Sequence, residues 1–258
     1  MHRLEILSSS SNPLIQDVRR AMQRGSLTER GLCIAEGFHL LAEAERSARP
    51  IACVLVRESS VTRAQSATRA TLTPVTDKLF DSIAATETTQ GVMALVEPPS
   101  YQAADIFRSN GPIVVLDQLQ DPGNAGAIAR AAEAFGASGM LFLNGTAHPF
   151  HPKTLRASAG SLFRLPLLTG LDPAAVLSLA AHHQRPCYAA VAGGARTADE
   201  AELSVCLLIV GNEGRGVSEA LRQASLPVSI PTHGVESLNA AVSASILLYE
   251  AQRQRQPR

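Results

Sequence analysis

Residues 112–143 read PIVVLDQLQDPGNAGAIARAAEAFGASGMLFL, and this stretch decides the fold class. Ile113-Val114-Val115-Leu116 is a continuous apolar run rich in β-branched side chains, which predicts a strand buried on both faces. A polar turn follows, then a helix from about Ala125 to Phe135, then Met140 to Leu143 as a second apolar run. A buried strand, a crossover helix and another buried strand predict a parallel pair. The texture continues: Asp172-Pro173 caps and starts a further helix, and Cys187 to Val191 and Leu207 to Val210 are further strands. The expectation from Pro112 onward is a parallel α/β sheet covered on both faces, closed by a helix from about Ser237 to Gln252. On that last helix Leu238, Val242, Ile246 and Tyr249 share one face with the small Ala241 and Ser245. Core packing accounts for such a face, and a dimer interface is the sharper reading.

Upstream the pattern is that of a smaller α/β unit. Asn12 caps and Pro13 starts a helix whose Leu14, Val18 and Met22 recur at helical spacing. Arg19, Arg20 and Arg24 lie mostly off that stripe, where a solvated face is the ordinary reading and an RNA-facing patch the alternative. A helix through Phe38 to Leu41, a buried strand over Ile51 to Val56, a short helix near Lys78 to Phe80 and the run Gly91 to Val96 complete the unit. Pro98-Pro99-Ser100 breaks the pattern, giving a domain over 1–97, a linker over 98–110 and a second domain over 111–258.

Composition narrows the function. The chain has 258 residues, 45% of them hydrophobic, with 23 Lys and Arg against 23 Asp and Glu, so it is no polycation that grips nucleic acid indiscriminately. With no Trp and 4% aromatic residues, stacking platforms for single strands are not expected. Cys33, Cys53, Cys187 and Cys206 form no C-x-x-C pair, and His148 and His151 have no matching acidic cluster, so neither a metal site nor a disulfide framework is expected. The N-terminus lacks a signal-peptide core, and no apolar run reaches the ~20 residues of a membrane span. The expectation is a cytoplasmic protein without a membrane segment.

Three segments are candidates to carry chemistry. Asp121 to Arg130, DPGNAGAIAR, follows a strand and enters a helix, where Asn124 serves as a cap unless it serves a ligand. Val210 to Gly216, VGNEGRG, follows a later strand; its G-x-x-G-x-G spacing, with no acid placed to hold a ribose, opposes an NAD-binding oxidoreductase. Ile230 to Asn239, IPTHGVESLN, enters the final helix, with Ser237 and Asn239 at capping positions and His233 a lone loop histidine. No G-x-S-x-G elbow supports a serine hydrolase.

Taken in order, N-x-G-x-x-x-R, G-N-E-G-x-G and I-P-x-x-G ending in S-L-N resemble the SpoU-type, or TrmH-like, RNA ribose 2'-O-methyltransferases of the SPOUT superfamily. The segment Lys153 to Gly160, followed by Pro166, is similar to the family's middle segment. Asn12-Pro13, Ala35-Glu36-Gly37 and Thr86 to Gly91 resemble the small α/β RNA-binding domain, similar to certain ribosomal proteins, that many such enzymes carry. The resemblance implies a deep trefoil knot binding S-adenosylmethionine, with Gly211, Ile230 and Leu238 as cofactor contacts and no metal. It implies a homodimer through the C-terminal domain. Arg130, Asn124, Glu213, Ser237 and Asn239 match the family's catalytic positions, and Arg19, Arg20 and Arg24 are the electrostatic candidates for RNA contact. The implied substrate is structured RNA, large-subunit (23S) ribosomal RNA first and transfer RNA second; a non-catalytic RNA-binding protein of the same fold is the other class. One departure stands out: from Ile230 to Asn239 the loop is one residue shorter than the usual family pattern.

Overall fold

The computed structural model describes residues 5–85, 88–193 and 196–256. Thr86 and Glu87, part of the N-terminal motif, lie outside the described residues. The chain divides into two compact units, the first taking residues up to Pro99 together with Phe150–Arg164, the second Ser100–Pro149 together with the chain from Leu165.

The first unit opens with α1 (Pro13–Arg24), where the Asn12 side chain accepts the Leu14 N–H at 2.9 Å and Gly25 ends the helix in left-handed geometry. There follow β1 (Cys33–Glu36), α2 (Phe38–Arg46), β2 (Ile51–Arg57), α3 (Val61–Ala67), β3 (Leu72–Val75), α4 (Asp77–Asp81) and β4 (Val92–Val96). The sheet runs β1-β4-β2-β3, with β4 antiparallel to β1 and β2 and β3 parallel to β2. Ile15, Val18, Ile34, Leu55, Phe80 and Met93 fill its core. Sequence reading leaves out β1 and β3, each four residues long and neither with the alternation that marks a strand.

The second unit starts with α5 (Ala103–Phe107), inside the stretch read as a linker. Gln102 and Asp105 form a reciprocal capping box, and Ile106 and Phe107 are buried in the second core. Next come β5 (Ile113–Asp117), α6 (Pro122–Ala134) and β6 (Gly139–Leu143); then α7 (Pro152–Ala157), which belongs to the first unit; then β7 (Leu167–Leu171), α8 (Pro173–His182), β8 (Cys187–Ala190), β9 (Leu207–Gly211), α9 (Glu219–Gln223), β10 (Leu226–Val228) and α10 (Ala240–Arg255). The six strands run β10-β8-β9-β5-β6-β7, every pairing parallel. Burial on both faces is why β5 and β6 read as unbroken apolar runs. No helix among the described residues is long and apolar enough to cross a membrane.

Phe150–Arg164 packs on the first unit through charge. The carboxylate of Glu43, buried on α2, takes Arg46 Nη1 at 2.6 Å on one oxygen and Arg164 Nη1 at 2.5 Å on the other. Glu36, buried at the end of β1, faces Arg156 Nη1 at 3.6 Å. Lys153, Arg156 and Arg164 give this segment three cations and no acid. Buried carboxylates are stable only when paired, and two of these cations supply the pairing.

Candidate active site

Strands β5 and β9 are neighbours whose last residues, Asp117 and Gly211, stand in register. From there the chain parts: β5 leads through α6 to β6 on one side, and β9 leads through α9 to β10 beyond β8 on the other. Open parallel sheets bind ligands at such a reversal, outside the carboxyl ends of the strands.

The loop after β9 is tied down at both ends. Asp117, 1% exposed, accepts the Ser218 N–H at 2.6 Å, and Asn212 donates its side-chain amide to the Gln118 carbonyl at 2.9 Å. Gln118 holds a left-handed φ of 57°, which costs about 1–2 kcal/mol for a residue with a Cβ. Asn212 Oδ1 accepts the N–H groups of Gly214 and Arg215, each at 3.0 Å, while Asn212 and Gly216 exchange backbone bonds of 3.0 and 2.8 Å. Gly211 is glycine because a Cβ there would overlap the Gly216 carbonyl and the Val217 nitrogen. Gly216 is glycine for another reason, its φ of 71°, and open space lies beside it.

Above these strand ends lies a cleft of ≈ 940 Å³, lined among others by Gln118, Gly211, Glu213, Ile230, Ser237 and Leu238. Its size is that of a small-molecule site. Apolar walls from Val210, Val228 and Leu247 alternate with backbone and polar groups, a lining able to take a purine face together with a ribose.

Three sequence-predicted residues meet here. Asp121, not Asn124, caps α6: its side chain accepts the Asn124 N–H at 2.7 Å. That leaves the Asn124 side chain free of capping, and its Nδ2 donates to Glu213 Oε1 at 3.0 Å. Asn239 caps α10 by accepting from Ala241 N at 2.9 Å and Val242 N at 3.3 Å, and its Nδ2 donates to Asn124 Oδ1 at 3.0 Å. The last helix therefore begins at Ala240 rather than Ser237, and Leu238 lies in the preceding loop. Ser237 is exposed in the lining, where Gly211, Ile230 and Leu238 also sit.

Arg130 stands apart. Six positions beyond Asn124, it turns roughly 120° round the helix. It is exposed and does not line the cleft, and neither Asn124 nor Glu213 bonds to it. His233 is exposed and off the lining as well. In the first unit Arg19 donates to Ser82 Oγ at 3.2 Å, Arg20 pairs with Glu29 at 2.7 Å, and Arg24 is exposed at the end of α1. Burial pushes the Cys33 and Cys206 thiols up to about 12, so neither is a nucleophile. Among the described residues no cluster of His, Cys, Asp and Glu is arranged to hold a metal. Sequence reasoning assigns no individual role to Asp117, Gln118, Asn212 or Arg215, the last two being quoted only as part of VGNEGRG. The one signal for Asp117 was a carboxylate ending an otherwise apolar run.

A parallel sheet with a glycine-walled cleft at its reversal, flanked by an Asn–Asn–Glu hydrogen-bonded chain, defines an α/β domain of the cofactor-binding class. The chain belongs to the SpoU rRNA Methylase family, whose model matches residues 111–249, and the MRM3-like substrate binding domain matches residues 12–94. It is 31% identical over 245 residues to the 23S rRNA (guanosine(2553)-2'-O)-methyltransferase RlmP of Bacillus subtilis, covering 94% of this chain and 97% of that one. The 23S rRNA (uridine(2479)-2'-O)-methyltransferase of Streptomyces viridochromogenes is 36% identical over 173 residues, covering 64% of this chain and 60% of that one. Among solved structures, the SpoU methyltransferase AviRb from Streptomyces viridochromogenes in complex with AdoMet superposes with a TM-score of 0.83 at 27% identity, covering 95% of this chain and 98% of that one. The AdoMet-bound rRNA methyltransferase from Sinorhizobium meliloti gives 0.84 at 27% identity, covering 98% and 99%.

Proposed function

We propose that the protein transfers the methyl group of S-adenosylmethionine to a ribose 2'-hydroxyl of 23S ribosomal RNA. The observation that carries this is the chain Asn239–Asn124–Glu213 beside the cleft, in a fold whose relatives are named as 23S rRNA 2'-O-methyltransferases. S-adenosylmethionine, when bound, supplies an electrophilic sulfonium methyl. The residues present fit it: Gly211, Ile230 and Leu238 offer backbone and apolar surface, and the carboxylates of Glu213, Glu219 and Glu236 in the lining suit a cation. This chain's contribution is to orient the hydroxyl, stabilise its developing negative charge and exclude water. Asn124 and Asn239 hold the loop that follows β9 and the start of α10 in one register; Ser237, exposed in the cleft lining, is our candidate for orienting the ribose. Arg130 serves as the forked cation for target phosphate and alkoxide, a guanidinium being too basic to act as the proton acceptor.

The same reading includes a cytoplasmic homodimer with the chain between β9 and α10 threaded as a trefoil knot. Val242, Ile246 and Tyr249 form an exposed apolar face on α10, which packs against α6, the helix that carries Arg130. Arg130 lies off the cleft of its own chain, which supports a site completed by a second copy docked on that face. The four free thiols support a reducing compartment. The first unit, with Arg19, Arg20 and Arg24 as candidates, holds the RNA.

The test is transfer of labelled methyl from S-adenosylmethionine to unmodified ribosomal and transfer RNA, with the modified ribose mapped and Arg130→Ala run beside wild type. Ribose methylation of 23S RNA that falls by at least ~100-fold in the variant is the expected result. Transfer to transfer RNA alone would move the substrate. Cofactor binding without transfer to either pool, or no cofactor binding, would sink the reading.

A further inference from the structure

We infer that Arg215 binds a phosphate of the RNA strand that enters the cleft, next to the ribose being methylated. This rests on the methyltransferase reading and adds a substrate-binding residue that the motif comparison assigns no role. The residues lining the cleft include two cations, Arg215 and Arg222. Arg222 is committed, pairing with Glu219 on the same turn of α9. Arg215 is exposed and has neither an ion pair nor a side-chain hydrogen bond among the described residues. Its backbone, by contrast, is held firmly, because its N–H is donated to Asn212 Oδ1 at 3.0 Å inside a turn closed by the Asn212–Gly216 bonds. A fixed Cα and an uncommitted guanidinium describe a group waiting for an anion, since ordering a long side chain costs least when its base is already ordered.

The space around it agrees. A Cβ on Gly216 would meet nothing within 4 Å, and one on Gly214 only Asn212 Oδ1 at 3.6 Å, so the turn is bare on both sides of Arg215. The same turn presents Glu213 to Asn124. Within three residues the chain thus offers a carboxylate committed to the reaction centre and a free cation beside it. Because Glu213, Glu219 and Glu236 in the lining repel a polyanion, an RNA strand entering here needs a compensating cation, and Arg215 is the one not already paired. The anionic alternative is the carboxylate of S-adenosylmethionine, and the experiment separates the two.

Full-length wild type, Arg215→Ala and Arg215→Lys are compared for RNA KM and kcat, for the salt dependence of RNA binding, and for S-adenosylhomocysteine affinity by calorimetry. The expected result for Arg215→Ala is an RNA KM raised about tenfold, kcat within about twofold, unchanged S-adenosylhomocysteine affinity and a salt slope smaller by about one phosphate contact. Arg215→Lys should recover part of the KM loss, as a point charge on the same stem. Unchanged RNA KM and salt slope overturn the inference. So does a loss of S-adenosylhomocysteine affinity with RNA binding intact, which would assign the guanidinium to the cofactor. A wild type that transfers no methyl overturns the methyltransferase reading and this inference together, whereas an active wild type beside an unaffected Arg215→Ala overturns this inference alone.

Discussion

Asn239 donates its side-chain amide to the carbonyl oxygen of the Asn124 side chain at 3.0 Å, joining residues 115 positions apart. The direction of the bond is dictated by its surroundings. Asn239 Oδ1 is engaged with the first N–H groups of α10, leaving Nδ2 to donate; Asn124 Nδ2 is engaged with Glu213, leaving Oδ1 to accept. One side chain therefore starts a helix and fixes the Asn124 side chain at once.

These two duties separate in Asn239→Asp. Aspartate retains an acceptor for Ala241 N and Val242 N, so thermal stability should stay within about 1 kcal/mol of wild type. It has no N–H for Asn124, and the two facing oxygens repel, breaking the relay to Glu213. Single-turnover methyl transfer should drop by at least ~10-fold while the melting temperature holds. Wild-type single-turnover rates in the variant would remove the relay from the mechanism.

Gly211→Ala and Gly216→Ala should fail differently. At Gly211 the new methyl overlaps the backbone of Gly216 and Val217, so the cleft wall must shift. S-adenosylhomocysteine affinity should weaken by more than ~10-fold, the scale of one or two kcal/mol. At Gly216 there is room, and the cost is the left-handed backbone, about 1–2 kcal/mol of stability. Calorimetric titration and thermal melts read both; equal binding by Gly211→Ala and wild type would show that the wall yields without consequence.

Glu43→Gln tests the charge beneath the first unit. The glutamine fits the site but leaves Arg46 and Arg164 sharing a neutral partner. Both arginines reach solvent in part, which limits the loss to about 1–3 kcal/mol. Urea unfolding followed by far-UV circular dichroism should show the midpoint falling with an unchanged slope. A midpoint equal to that of wild type would mean the pair contributes nothing net.

Acid should loosen the start of α7. His151 caps that helix with a ring acceptor, Nδ1 taking the Lys153 N–H at 3.0 Å, a bond that requires the nitrogen to be unprotonated. Burial, then the charges of Lys153 and Arg156, lower its pKa below the ordinary value of about 6.5. The unfolded chain thus binds the proton more readily than the folded one, and stability falls as pH drops through the unfolded value toward the folded one. His151→Asn keeps a capping oxygen and should flatten this part of the stability–pH curve. An identical curve in the variant would assign the acid sensitivity elsewhere.

Much of this architecture is legible in the residues. Ile113 to Leu116 and Leu207 to Val210 announce buried parallel strands because both faces are covered, and Asn12-Pro13 marks a helix start through its own local chemistry. The site is harder, since it is made by partners far apart in the chain. Asn124 and Asn239 each look like a helix cap in isolation; only one is, and only the fold shows that Asp121 relieves Asn124 of the task. The left-handed Gln118 and the buried Asp117 leave almost no local trace, because each is imposed by the loop it holds rather than by its own propensity. Likewise the stretch 98–110 reads as a linker by its prolines, while its buried Ile106 and Phe107 answer to a core assembled later.

Glu36 and Glu43 lie early in the chain, and their cations Arg156 and Arg164 lie far downstream, with α5 to β6 between. During synthesis the first unit therefore lacks part of its pairing when Pro99 emerges from the ribosome: Glu36 has yet to meet Arg156, and Glu43, already beside Arg46, has yet to meet Arg164. An ordinary amino-terminal domain folds as soon as it is exposed. Here the ion pairs of Glu36 with Arg156 and of Glu43 with Arg164 need residues made later, so β5, α6 and β6 emerge before the first unit has all of its residues. A gene fragment ending at Pro99 should yield a loosely packed product, and a separate peptide of residues 150–164 added to it should tighten it.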